Sequence, residues 1–436
     1  MAARTPAIAS LVAFALLLTI ASPASADGYL APDWVATFGG GGAAQGWGVE
    51  VGPAGEAYLV GFVQGQGNDV LVARIEPSGT VAWENTIGRP FQQKGFEVVY
   101  AGGFLYVGGV TARDTRVESQ DMYFLKLRAS DGTLVWETSW NGPADLYDEA
   151  DGIVVEDGFV FASGWADVPL NYTAGQVALV KLADANGTWV QDLLWGGAAR
   201  DGADGAMASD GTNLYVSGIT GGVNFFTGGD ALVAAFNKTT LVEVWNRSWG
   251  GSSFDDGLGL TIGGGDLYVT GLTMSFGGDG IFLLRYDLAG NRIWNTTWGG
   301  SGSESARAVE VAEDGSAVFV AGQTSSYGNG STDVVLLEFT PDGDFVMYAT
   351  WGGALGDVSQ GIAVRGESVF IAGNEGVQGL TTDAFAMRIG PNGIVPPGTD
   401  GNRPPLNPAA VFFVIMVVVA VVLILVALLA TRRHRT

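Results

Sequence analysis

The chain contains no cysteine, and its one histidine, His434, lies third from the end. No disulfide can brace the fold. Thiolate nucleophiles, serine–histidine relays and histidine-ligated metals are excluded from everything ahead of that residue. Basic residues are also scarce, with 21 Lys and Arg against 45 Asp and Glu. Without the two terminal segments described below, 17 basic residues face 45 acidic ones, a net charge of −28. Nucleic acid is an unsuitable partner for such a surface, whose simplest consequence is good solvation. Across the long middle of the chain no apolar stripe recurs at helical spacing.

Glycine is abundant, at 68 of 436 residues with no collagen-like triplet. That abundance implies many tight turns between short strands. The stretch NRIWNTTWGG (291–300) reads as a turn exit, an extended strand with Trp294, Thr296 and Trp298 on one face, and a paired-glycine turn. It recurs as WVATFGG (34–40), WENTIG (83–88), WETSWNG (136–142), QDLLWGG (191–197), WNRSWGG (245–251) and MYATWGG (347–353). With the central copy counted from Trp294, successive starts lie 49, 53, 55, 54, 49 and 53 residues apart, so each interval is one structural unit.

Within one interval, residues 258–262, 266–273, 280–287 and 291–298 read as four short strands separated by glycine-rich turns. Four strands per unit at this period predict an all-β, seven-bladed β-propeller over residues 27–393. The seventh unit lacks a fourth strand, whereas residues 33–40 are such a strand with no blade before it. The amino-terminal strand is therefore expected to complete the last blade and close the ring, hiding edges that an open array would expose.

Both ends read as targeting segments. Residues 1–26 combine Arg4, an apolar run and the small residues Ala24-Ser25-Ala26, the pattern of a secretory signal. Residues 394–408 are proline-rich and read as a stiff spacer. Residues 409–430 carry no charge and suffice for one transmembrane helix, and residues 431–436 form a basic tail. The positive-inside tendency places that tail in the cytoplasm and the propeller outside the cell.

The recurring WGG after the fourth strand, an acidic residue before the first, LYVTG in the second and DGTLVW in the last hairpin resemble the seven-bladed propeller repeats of secreted and surface proteins of bacteria and archaea. The resemblance covers residues 33–393. It implies the propeller and an extracellular location, with no agreed activity. The second unit departs from the pattern, keeping only Ile87-Gly88-Arg89 where WGG is expected. The hairpin DGTLVW also faintly resembles quinoprotein repeat turns, although any short hairpin requires the same residues.

Three sets of residues are candidates for function. Asp148, Asp201, Asp255, Glu304 and Asp357 fall at one position per unit, just after the paired glycines. They could encircle the channel mouth and hold a cation such as Ca²⁺, which takes several hard oxygen ligands. Alternatively, each accepts backbone N–H groups in its own turn. A second set, Trp165, Tyr172, Phe225, Phe226 and Tyr327, falls in long, dissimilar second-to-third connections where exposed rings could contact sugars or protein, unless they fold back onto the blades. The third set comprises the glycosylation sequons at Asn171, Asn186, Asn237 and Asn329, which sit in loops or near hairpins; those at Asn246 and Asn295 lie within strands.

These features lead to the expectation of a membrane-anchored surface propeller that binds or scaffolds an extracellular protein or glycan. The alternative is a carboxylate-dependent or cofactor-dependent extracellular enzyme, such as a glycoside-cleaving propeller. Close carboxylates in a deep pocket with a strongly raised pKa would mark the enzyme; a ring of similar, solvated acids would mark the binding module.

Overall fold

A computed structural model describes residues 27–395 apart from 41, 66, 117–119, 168–174, 198, 223–227 and 378–380. The expected signal sequence, membrane helix and basic tail, and the spacer beyond Val395, lie outside the described residues. Among the described residues no helix is long and apolar enough to cross a membrane.

The described chain is all β and forms seven sheets, one per blade, antiparallel except for one strand pair in the sixth. Blade 1 spans residues 44–87, blade 2 93–140, blade 3 148–195, blade 4 200–249, blade 5 255–298, blade 6 304–351 and blade 7 358–389 with 34–38; blades 1, 2, 3 and 5 each consist of four consecutive strands. In blade 4 the first strand is split into Arg200–Gly202 and Met207–Ser209. Blade 7 is closed as the sequence predicts: Trp34–Phe38 pairs antiparallel with Thr381–Ile389, from Trp34 opposite Arg388 to Phe38 opposite Ala384. Neighbouring blades pack face to face. Leu59 and Leu71 of blade 1, for example, share a core with Phe370 and Ala386 of blade 7, and fully burying one such side chain contributes about 1.5–3 kcal/mol.

Tryptophans in the fourth strands staple each blade to the next. The indole Nε1 of Trp34, Trp83, Trp136, Trp245 and Trp294 donates to a carbonyl in the last hairpin of the following blade, at 3.2, 3.3, 2.9, 3.1 and 3.1 Å. In blade 3 the position is Gln191, whose Nε2 keeps the bond by donating to Thr240 O at 3.0 Å. Blade 6 has Met347 there and no such donor. At that corner two additional short strands pair instead: Asp27–Leu30 lies parallel to Phe345–Trp351, and Ile394–Val395 pairs antiparallel with Tyr29 and Leu30. Ile394 and Val395, expected to begin the spacer, thus belong to the sheet.

Candidate functional site

Seven first strands line the axis, and in every blade the register between the first and second strands slips at one place. In six blades a single residue is bulged out: Trp47, Phe96, Asp151, Leu258, Arg307 or Gln360. In blade 4 the interruption between the two half-strands carries Asp204. A bulge re-aims a side chain, and here these seven residues all line the axial cavities. Opposite each bulge the second strand has a glycine. A Cβ on Gly61, Gly109, Gly164, Gly218, Gly271, Gly322 or Gly373 would stand 1.8–2.3 Å from a first-strand carbonyl oxygen. That close approach is why the LYVTG-type segments end in glycine.

The chemistry is concentrated where blades 3, 4 and 5 meet the axis. Glu149, Asp151, Asp204 and Asp256 line a cavity of about 210 Å³ with Arg200, Arg307, Trp47 and Phe96. Arg200 donates to Asp204 at 3.4 Å. Tyr147 donates its hydroxyl to Glu149. Phe96 packs on Trp47 at 4.8 Å between ring centroids, and the Arg307 guanidinium lies 5.3 Å from the same indole. Although Glu149, Asp151 and Asp204 retain some exposure, they face the narrow channel rather than open solvent. Desolvation therefore dominates their titration. Burial first, then Asp204, pushes Asp256 up to about 8 and Glu149 up to about 7. Asp151 is pushed well above the ordinary range by burial and by Glu149 and Asp204. Asp204 is also raised by burial, against the opposing pull of Arg200 and Arg307.

Three residues further along the bulged strands, about 10 Å at the usual strand rise, lie Glu50 and Glu310. Glu97, next to the bulged Phe96, is influenced by both. Burial and then these two neighbours push Glu97 up to about 8. Glu310 is pushed up to about 7, again by burial first, while Thr261 donates to it at 3.2 Å.

The acids singled out by the repeat pattern sit three residues before the bulged or interrupting residue of their blades and are turn locks. Asp148, Asp201, Asp255, Glu304 and Asp357 are buried. They accept the N–H groups of Gly142, Gly197, Gly251, Gly300 and Gly353 at 2.7, 2.6, 2.9, 2.8 and 2.6 Å. Thr220, Thr273 and Thr324 of the second strands add hydroxyl donors to three of them. In blade 2, Gln93 takes the role, accepting Arg89 N–H at 2.7 Å. Among the described residues no group of three or more acidic side chains is arranged to hold a metal ion.

Of the aromatic set, Trp165 is buried in the second strand of blade 3. Its Nε1 donates to Asp167 at 2.6 Å, and Arg200 lies 4.6 Å from its ring. Tyr327 folds back between Trp298 and Tyr348, at 5.2 and 4.8 Å. Both rings pack between neighbouring blades, Trp165 buried and Tyr327 half-buried. Tyr172, Phe225 and Phe226 lie outside the described residues, as does Asn171. Asn186 and Asn329 are exposed. Asn237 is half-buried, its side chain accepting N–H groups from Thr239 and Thr240 at 3.1 and 3.0 Å.

No family model and no curated protein sequence matches the chain. Solved structures similar to it include the quinohaemoprotein alcohol dehydrogenase of Comamonas testosteroni, at 12% identity over 83% of this chain and 76% of that one, with a TM-score of 0.43. A europium-containing methanol dehydrogenase is 9% identical over 83% of this chain and 93% of the other, with a TM-score of 0.47. A quinohaemoprotein alcohol dehydrogenase of Pseudomonas putida HK5 is 11% identical over 82% and 68%, with a TM-score of 0.43. The axial channel has crowded carboxyl groups raised by burial, the arrangement set out above for an enzyme and not for a ring of solvated acids. The expectation of a binding or scaffold module for a protein or glycan is therefore corrected in favour of the enzymatic alternative.

The groups in the neighbours' names do not fit the residues present. Haem attachment through paired cysteines has no counterpart in a chain without cysteine. A planar quinone needs an open aromatic face, whereas the Trp47 indole is packed by Phe96 and Arg307. Europium would find carboxylate oxygens in the channel, but no three of the described acids are grouped to hold an ion.

Proposed function

We propose that the protein is a carboxylate-dependent enzyme that uses its axial channel for general acid–base cleavage of a glycosidic bond. The observation that carries this reading is the convergence of Glu149, Asp151, Asp204 and Asp256 in one desolvated cavity beside two arginines. Glycoside cleavage needs one carboxylic acid to protonate the leaving oxygen and one carboxylate to act as base or nucleophile, with no cofactor. Asp256, pushed up to about 8, retains its proton at neutral pH and is the general acid. Asp204 is the carboxylate partner: burial raises it, and Arg200 and Arg307 beside it oppose that shift. The signal, spacer and apolar run would place this activity at the outer cell surface.

The test is hydrolysis of a panel of nitrophenyl glycosides by the purified full chain. Activity should follow a bell-shaped pH profile. It falls on the alkaline side as Asp256 loses its proton near pH 8 and on the acid side as Asp204 gains one. Asp256→Asn should lower kcat by about 10²–10⁴. Absence of any hydrolysis, or a variant as active as the wild type, would contradict the assignment.

A further inference from the structure

The groups that the cavity wall leaves unused indicate what the site takes. At neutral pH the wall is not negative. Asp204 is paired with Arg200 at 3.4 Å, and burial leaves Asp151 and Asp256 holding their protons. Glu149, which burial and then Asp204 push up to about 7, is only partly ionised and stands near Lys94 as well as Arg307. Arg307 is the cation left over. Among the described residues its guanidinium makes no ion pair or hydrogen bond and instead lies 5.3 Å from the Trp47 indole, lining both axial cavities. A guanidinium stacked on a ring keeps its edge donors free for a planar, two-oxygen partner. Two further unmatched atoms share its cavity. Trp47 Nε1 and Gln360 Oε1 are closed from solvent and have no hydrogen-bond partner in the chain. The bulges that carry them abut, since a Cβ on Gly361 would stand 2.6 Å from the Trp47 carbonyl oxygen. Buried polar atoms left unmatched are costly, so this set points to a missing partner.

Arg307, Gln360 and Trp47 come from blades 6, 7 and 1, whereas Asp204 and Asp256, the assigned base and acid, come from blades 4 and 5. Recognition and reaction therefore draw on different blades around one axis. A carboxylate accepts two N–H groups of a guanidinium and, with its remaining lone pairs, an indole N–H; a hydroxyl on the same molecule can donate to the glutamine oxygen. A neutral sugar leaves the Arg307 charge without a counter-ion, and an amino sugar adds repulsion. We propose that the substrate is a hexuronic acid glycoside, its carboxylate held by Arg307 and Trp47 and a ring hydroxyl donating to Gln360. This rests on the glycoside-cleaving reading, adds the chemical class of the sugar, and leaves Asp204 and Asp256 free to react.

Binding and turnover are measured separately, so the two claims can fail separately. Calorimetry on the full chain compares D-glucuronate with D-glucose, its neutral counterpart, in about 0.15 M salt, which screens charges more than about 8 Å away. The proposal predicts at least tenfold tighter binding of glucuronate, and a ratio near one in Arg307→Gln. Trp47→Phe, which keeps a ring but removes the N–H donor, serves as a second variant and should lower the ratio at least threefold; thermal melting checks that each folds. Equal or weaker binding of glucuronate would overturn the proposal, as would an unchanged ratio in either folded variant. Cleavage of nitrophenyl glucosides with no preference for the glucuronides of the same anomeric form would overturn it while leaving the proposed function standing. Glucuronate binding that depends on Arg307, without hydrolysis of any glycoside, would support the carboxylate site and overturn the proposed reaction.

Discussion

At the residue scale, the acids that recur and the acids that line the channel have separate tasks, although they are adjacent in sequence. Asp255 is buried and accepts from Gly251 N–H, Ser275 Oγ at 2.6 Å and Thr273 Oγ1. Asp256, one residue on, faces the axis. Removing the first leaves three donors without their acceptor, of which the Thr273 hydroxyl is buried, and an unmatched buried donor costs about 1–3 kcal/mol. Asp255→Ala is therefore expected to lower unfolding stability by at least about 2 kcal/mol in urea titrations, by the same amount with and without calcium. A loss that appears only when calcium is present would restore a shared cation site to this ring of acids.

At the element scale, strands, blades and closure were legible in the sequence because they depend on local signals: alternation, turn residues and a period near 50. The Trp-containing fourth strand was visible as a repeat, but its purpose was not, since the hairpin it grips belongs to the next unit. The axial site was less legible for a different reason. Its positions carry Trp47, Phe96, Asp151, Asp204, Leu258, Arg307 and Gln360, six residue types in seven blades, and a reading tuned to recurrence passes over them. The usable sign was the glycine in every second strand, which marks the bulge opposite. The inter-blade staple makes its own prediction. A Cβ on Gly290, where φ is +80°, would stand 2.7 Å from the Trp245 ring, whereas Gly265, at φ +87°, has nothing within 4 Å. Gly265→Ala should cost only the backbone strain of about 1–2 kcal/mol. Gly290→Ala should cost a further 1–3 kcal/mol, roughly, through overpacking. Equal effects in chemical denaturation would mean that the indole contact contributes nothing.

At the scale of the whole molecule, a ring of seven blades brings seven first strands to one axis, so residues about 50 positions apart become neighbours. Glu149, Asp204 and Asp256 come from three successive blades, and no local stretch could gather that many carboxylates out of bulk water. The central claim is that the channel thereby keeps a carboxyl group protonated at neutral pH. A carboxyl whose folded pKa is raised carries its proton up to that pKa and ionises only above it. Infrared spectra of the carboxyl stretch, followed from about pH 5 to about pH 9, read this directly in the wild type and in Asp256→Asn. The account predicts a protonated-carboxyl band that persists at neutral pH, is lost near pH 8 and is reduced in the variant. Complete ionisation of all carboxyl groups by pH 6, or a band unchanged by Asp256→Asn, would contradict it.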